Sequence, residues 1–356
     1  MSGPFVIITS IAAPTRTLRE VARGAAAAGF KFILIGDSKS PSKFELEGCD
    51  FYSVDRQGEA GLGYAKICPL GHYARKNIGY LLAMRAAASL ILETDDDNIP
   101  RNQFWEARHL EVRAPCLRSS GWVNIYRYFT DALVWPRGLP LDSIQNSLPP
   151  IDSLTVQAVT CPIQQGLADE NPDVDAIYRL VLPLPQNFRT DRQIALGAGS
   201  WCPFNSQNTA WWPQAYPLLY LPAYCSFRMT DIWRSFVAQK IAWVNGWSIL
   251  FHGPDVWQER NDHNLMRDFA DEIPGYLNNR SMCVALEEIE LRPGTNALGE
   301  NLTKCYRAFV DRGWVGQEEL VLLSAWLEDI RSLRAEELPA GLVDSRPNSA
   351  RRGVQA

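Results

Sequence analysis

Along the first hundred residues, short continuous apolar runs alternate with stretches in which apolar side chains recur at a period near 3.6. Phe5 to Ile11 is a short, β-branched run that predicts a buried strand. From Pro14 to Gly29, Leu18, Val21, Ala22 and Ala25 fall at helical spacing, with Thr17 and Glu20 placed for a capping box and Gly29 for a C-cap. Phe32 to Ile35 predicts a second strand, ending at Gly36-Asp37. The helical pattern returns from Tyr73 to about Ala88, and Leu90 to Thr94 predicts a strand that delivers Asp95, Asp96 and Asp97. Strands alternating with helices imply parallel βαβ units. Ligands of such open sheets bind outside the carboxyl ends of the strands. Thr9, Ser10, Asp37 and Asp95 to Asp97 all fall at such ends, so one crevice could gather them.

The pattern is less regular further on. From about Gly121 to Gly199 the chain is rich in aromatics, proline and acids, with Trp122, Tyr126, Tyr128, Trp135 and Arg137 close together. Aromatic faces beside polar groups suit a sugar-binding surface, but large aromatics equally build cores. Thr230 to Ala242 predicts a helix with Thr230 as N-cap, and Ser248 to Phe251 a strand before the polar run from Gln258 to Asn264. From about Ala285 to Arg334, charged and apolar residues alternate at helical spacing, which predicts an appendage packed on the rest of the chain or on a second subunit, making a homo-oligomer. Residues 338–356 carry little apolar content and predict a disordered tail.

Composition narrows the class of partner. The 356 residues are 46% hydrophobic with a net charge of −5, enough for a large core and without a basic field to recruit nucleic acid or an anionic membrane. No apolar run approaches the roughly 20 residues of a membrane span, and the N-terminus reads as a strand rather than a signal peptide. A cytoplasmic protein is the expectation. The eight cysteines show no close pairing and read as free buried thiols rather than a disulfide framework.

The candidate chemistry centres on the Asp triplet. Three adjacent carboxylates at a strand end suit a hard cation such as Mg2+ or Mn2+, which takes one or two carboxylates and fills its shell with water and substrate phosphate. An Asp-rich surface turn is the other reading. Arg75, Lys76 and Asn77 open the preceding helix, where cations oppose the dipole unless an anion is held there, and they suit a diphosphate clamp. Asp37 suits a hydrogen bond to a nucleobase or ribose, or a plain turn. Asp231 is explained as a first-turn helix acid, or as a carboxylate that orients or deprotonates an acceptor hydroxyl. His263 either completes a metal shell or is simply hydrogen-bonded.

Taken together, ITSI near the start, IGDSKSP at 35–41, YARKNIGYL at 73–81, ETDDDNIP at 93–100, GLADENPDVDAIYRL at 166–180, PFNSQNT at 203–209, DIWRS at 231–235 and QERNDHNLMRDF at 258–269 resemble the STELLO-type glycosyltransferase family. The skeleton is more distantly similar to the reversibly glycosylated polypeptides, which are UDP-arabinopyranose mutases. The resemblance implies an α/β GT-A-like nucleotide-diphospho-sugar transferase fold with a Rossmann-like mixed sheet and a helical C-terminal appendage. It implies a catalytic domain over 1–280, its nucleotide-sugar part up to about 120 and its acceptor part after that, then a helical region over 281–337. Asp95 and Asp97 would be the metal-binding DxD pair, with His263 as a further ligand. Thr9, Ser10, Asp37, Arg75, Lys76, Asn77, Asp95 and Asp96 would bind the nucleotide sugar, and Asp231 would be the general base. The implied activity is transfer of a sugar, from a UDP-sugar by default, to a glycan or glycoconjugate acceptor with Mn2+ or Mg2+. A sugar-nucleotide mutase, which would need the Arg137 region on the sugar, and a non-catalytic scaffold are the alternatives.

Overall fold

The computed structural model describes residues 3–261 and 264–336. Strand β1, Phe5–Thr9, sends Phe5 and Ile7 into one apolar cluster and Val6 and Ile8 into another, so both its faces are buried. Helix α1, Arg16–Ala28, covers one face with Leu18, Val21, Ala22 and Ala25. Its cap is Thr15, which accepts from the Leu18 N–H, so the capping box expected at Thr17 and Glu20 is not used; Thr17 is buried one position inside the helix. Gly29 closes the helix in the left-handed conformation, as its lack of a Cβ permits. Strands β2, Lys31–Ile35, and β3, Cys49–Tyr52, extend the sheet, and short helices α2, Val54–Gly58, and α3, Gly63–Ile67, follow. Helix α4, Lys76–Arg85, lies on the opposite face from α1, and β4, Ile91–Thr94, returns to pair with β1. At Gly79 a Cβ would sit 2.6 Å from Ile7 Cγ2, so the glycine lets α4 approach the sheet closely.

The remaining strands complete a mixed sheet. They are β5, Asn98–Pro100; β6, Glu111–Leu117; β7, Gly121–Trp122; β8, Val156–Thr160; and β9, Ile163–Asp169, followed by helix α5, Ala176–Val181. Then come β10, Gln193–Leu196; β11, Ser200–Trp201; β12, Asn208–Trp211; helix α6, Thr230–Val244; and β13, Ile249–Gln258. Among the described residues the large sheet runs β3-β2-β1-β4-β12-β9-β13-β10-β6-β8, with β5 beside β13. Its first four strands are parallel, as the alternating pattern implies. β12 then inserts antiparallel between β4 and β9, placing the polar loop before it against the Asp triplet. The α/β class, the mixed sheet and the helical C-terminal region expected of a GT-A-like fold are all present.

Helices α7, Leu265–Glu288, α8, Leu298–Asp311, and α9, Glu319–Glu336, form the C-terminal layer. α9 docks on this same chain: Asp329 accepts from the N–H groups of Gly63 and Tyr64, and the Trp326 Nε1–H donates to the Pro217 carbonyl. Glu319 at its start accepts from the N–H groups of Ala223 and Tyr224 and from the Tyr220 hydroxyl. Trp122, Tyr126, Tyr128 and Trp135 are buried in the main core, so they pack the interior and do not form a sugar-facing surface. All eight cysteines are free thiols. Among the described residues no helix is long and apolar enough to cross a membrane. The tail expected over 338–356 lies outside the described residues.

Candidate active site

The carboxyl ends of β1, β2 and β4 open into a cleft of about 470 Å3. Thr9 and Ser10 line it from β1, Asp37 from β2, and Asp95 to Asp97 from β4. Arg137, Asp173, Arg179, Arg228, Asp231 and Arg260 also line it, with Gln258 and Asn261, on either side of Arg260, bonded to the triplet. The crevice expected from the strand ends is thus formed. Asp37 accepts from the N–H groups of Gly71 and His72 at 3.0 Å each, so it fastens the loop before α4 to the end of β2. Ser40 ties the same corner to β1 by donating to the Ser10 carbonyl.

The three aspartates have different surroundings. Asp95 Oδ1 accepts from Lys76 Nζ at 2.9 Å, and Lys76 also donates to the carbonyls of Thr94 and Ser206. Asp95 Oδ2 has no partner among the described residues, and 39% of the side chain is open to solvent. Protein nonetheless surrounds it closely enough that loss of hydration pushes its carboxyl up to about 7, with Lys76 pulling back. Asp96 accepts from the Ser10 hydroxyl, which joins the ends of β4 and β1. Asp97 is buried, accepts from Gln258 Nε2 at 3.1 Å on both oxygens, and lies near the Asn261 N–H. Burial raises its carboxyl pKa as well.

These donors suit a hard divalent cation. Carboxylate and carbonyl oxygens are its preferred ligands; Asp95 keeps an oxygen without a partner among the described residues, and the Asp97 oxygens accept from two donors, Gln258 Nε2 and the Asn261 N–H. Among the described residues no group of three or more His, Cys, Asp or Glu is arranged to hold a metal ion. That falls short of a dedicated protein cage but matches the one or two carboxylates that Mg2+ commonly takes. His263, the further ligand expected from the sequence, lies outside the described residues.

Two expectations are corrected. Arg75, Lys76 and Asn77 do not present free cations and amides for a diphosphate. Arg75 borders the cleft but gives its guanidinium to Gln57 Oε1 and the Cys68 carbonyl. Asn77 turns the other way, bonding the Leu221 backbone and the Tyr64 hydroxyl, while Lys76 is wholly buried against Asp95. A helix start normally favours anions; here the half-buried Asp95, paired with the buried Lys76, and internal acceptors satisfy these groups. Asp231 lines the cleft, but as a poor general base. Arg137 pairs with both its oxygens, and the N–H groups of Ser206 and Ile232 donate to it. Burial alone would raise its carboxyl, yet Arg137 holds it well below the usual carboxylate range.

Several residues of the site escaped the sequence reading. Glu93 and Arg234, both fully buried, form a two-pronged ion pair at 2.8 and 2.9 Å directly beneath the triplet. Tyr80 and Trp211 donate to the same carboxylate, locking β4 to α4, β12 and α6. Arg179, Arg228 and Arg260 come from separate segments. Arg179 and Arg260 lie inside GLADENPDVDAIYRL and QERNDHNLMRDF, so a search of those motifs for cations could have found them. Arg228 carries no comparable signal.

Residues 228–348 match the family model for STELLO glycosyltransferases. Probable glycosyltransferase STELLO2 of Arabidopsis thaliana is 26% identical, covering 92% of this chain and 44% of that protein. Probable glycosyltransferase STELLO1 of the same plant is 26% identical over the same shares. The chain thus spans less than half the length of these relatives. Glucosyl-3-phosphoglycerate synthase of M. tuberculosis is similar at a TM-score of 0.38 and 10% identity, over 80% of this chain and 79% of that one, too loosely to bear on the argument. The family-model match lies over the C-terminal third and the relatives align along nearly the whole chain, so the chain is similar to the STELLO glycosyltransferases along most of its length.

Proposed function

We propose that this chain transfers a sugar from a nucleotide-sugar donor, a UDP-sugar by preference, to a glycan or glycoconjugate acceptor, with Mn2+ or Mg2+ as cofactor. The observation that carries this reading is the Asp95 to Asp97 wall of a cleft formed by the ends of three parallel strands, in a chain similar to proteins named probable glycosyltransferases. Thr9, Ser10 and Asp37 lie on the side where the nucleoside would sit, and Asp95 and Asp97 would hold the cation. When bound, such an ion neutralises the charge of the departing diphosphate. Lys76 keeps Asp95 in place, and Ser10 and Gln258 orient Asp96 and Asp97. Asp231 serves with Arg137 as a fixed charged pair on the acceptor side, positioning rather than deprotonating. The mutase reading gains nothing here, because Arg137 is 6% exposed and committed to Asp173 and Asp231.

A thermal-shift screen of nucleoside diphosphates and sugar nucleotides, with and without Mn2+, tests the reading. At about 100 times Kd one nucleotide class should stabilise the wild type by about 2–3 kcal/mol. The metal-dependent part should vanish in an Asp95→Ala/Asp97→Ala variant. A folded wild-type protein with no metal-dependent response to any nucleotide would favour a non-catalytic scaffold.

A further inference from the structure

The cleft has a second charged region that the donor does not require. Arg179 projects from α5, Arg228 from the turn before α6 and Arg260 from the segment after β13, and all three border the cleft. Two are anchored from behind by carboxylates that do not line it: Arg228 by Glu272 at 3.0 Å and Arg260 by Asp268 at 2.9 Å. Arg179 has no carboxylate bonded to it among the described residues. It donates to the Pro172 carbonyl and Asn171 Oδ1, and its Nε–H is buried without a partner. An orphaned guanidinium donor beside two anchored ones is unfavourable unless an anion joins them. Consistent with this, burial and then repulsion from Arg260 pull the Arg179 pKa down to about 9, although Asp173 opposes the shift.

We propose that Arg179, Arg228 and Arg260 form a binding site for an oxyanion carried by the acceptor, a phosphate or carboxylate group, separate from the donor diphosphate. This rests on the glycosyltransferase reading for the word acceptor, but not for the anion site. Planar guanidinium forks match tetrahedral phosphate and planar carboxylate oxygens alike. Lys76 is wholly spent on Asp95 and two carbonyls, so it is not free to take an anion, whereas the three arginines line the same cleft with the Arg260 segment beside the triplet. An acceptor held by its anion at the arginines would lie in the same cleft as a donor held by its diphosphate at the aspartates.

The test is calorimetric titration of methyl phosphate, and in a second arm acetate, into the full chain with and without saturating UDP and Mn2+. Methyl phosphate or acetate should bind the free protein and still bind once UDP is present; the tighter of the two names the group. Arg179→Gln should weaken that binding about tenfold or more. Arg260→Gln should do the same, and serves if the first variant does not fold, while UDP affinity stays within about threefold in either. Competition between the small anion and UDP, or equal loss of UDP affinity in the variants, would overturn the proposal by assigning the arginines to the donor. So would failure of both anions to bind the wild type. Anion binding without any response to UDP would instead sink the donor reading and leave the anion site standing.

Discussion

Arg234→Met is expected to destabilise the protein by about 3–5 kcal/mol, because it leaves the Glu93 carboxylate buried without its countercharge. Both partners are essentially inaccessible to water, and the pair is two-pronged. Tyr80 and Trp211 would still donate to Glu93, but neutral donors offset only part of an uncompensated buried charge. The Glu93→Gln/Arg234→Met double variant should recover part of the loss, since removing both charges removes the desolvation problem. Urea denaturation midpoints of the wild type and the two variants decide it. A single-variant cost of about 0.5 kcal/mol or less, the size of an ordinary surface change, would show that the pair does not hold β4 in place.

That pair also shows why part of the site could not be read from the chain. Glu93 and Arg234 are 141 residues apart and meet only because β12 inserts beside β4 and α6 carries Arg234 over Trp211 of β12 to the Glu93 carboxylate. No local period encodes such an insertion. By contrast β1, α1, β2, α4 and β4 were legible, because each buries a face whose spacing stands in the sequence. The grouping of Thr9, Ser10, Asp37 and the Asp triplet followed from strand ends alone. What local reading could not supply was the direction of side chains at those ends. Arg75 and Asn77 stand at a helix start yet spend their polar groups inward, on partners from Gln57 to Leu221. Asp231 looked available as a base because Arg137 and Ser206, which occupy its oxygens, lie 94 and 25 residues away in the chain.

The second large effect concerns Asp95. If it holds the cation against the diphosphate, Asp95→Asn should lower metal-dependent turnover of the donor by about 10^2–10^3-fold, comparable to loss of one strong electrostatic contact to the developing charge. The asparagine keeps the shape and can still accept from Lys76, so the fold should survive. Measuring release of nucleoside diphosphate, with and without Mn2+, separates this from a folding defect when read beside the variant's melting temperature. Unchanged metal-dependent turnover in a stable Asp95→Asn protein would remove Asp95 from the chemistry. Asp97 is more enclosed and bound by Gln258, so its loss is expected to mix binding and stability effects.

The central claim is that the cleft at the ends of β1, β2 and β4 seats a nucleotide sugar through a cation on the aspartate wall. A crystal structure of the protein with UDP and Mn2+ tests it most directly. The account predicts manganese against Asp95 or Asp97, bridging to the diphosphate, with the nucleoside toward Thr9 and Asp37. A nucleotide bound away from these strand ends, or one whose diphosphate lies on Arg179, Arg228 and Arg260 with no metal at the triplet, would contradict it.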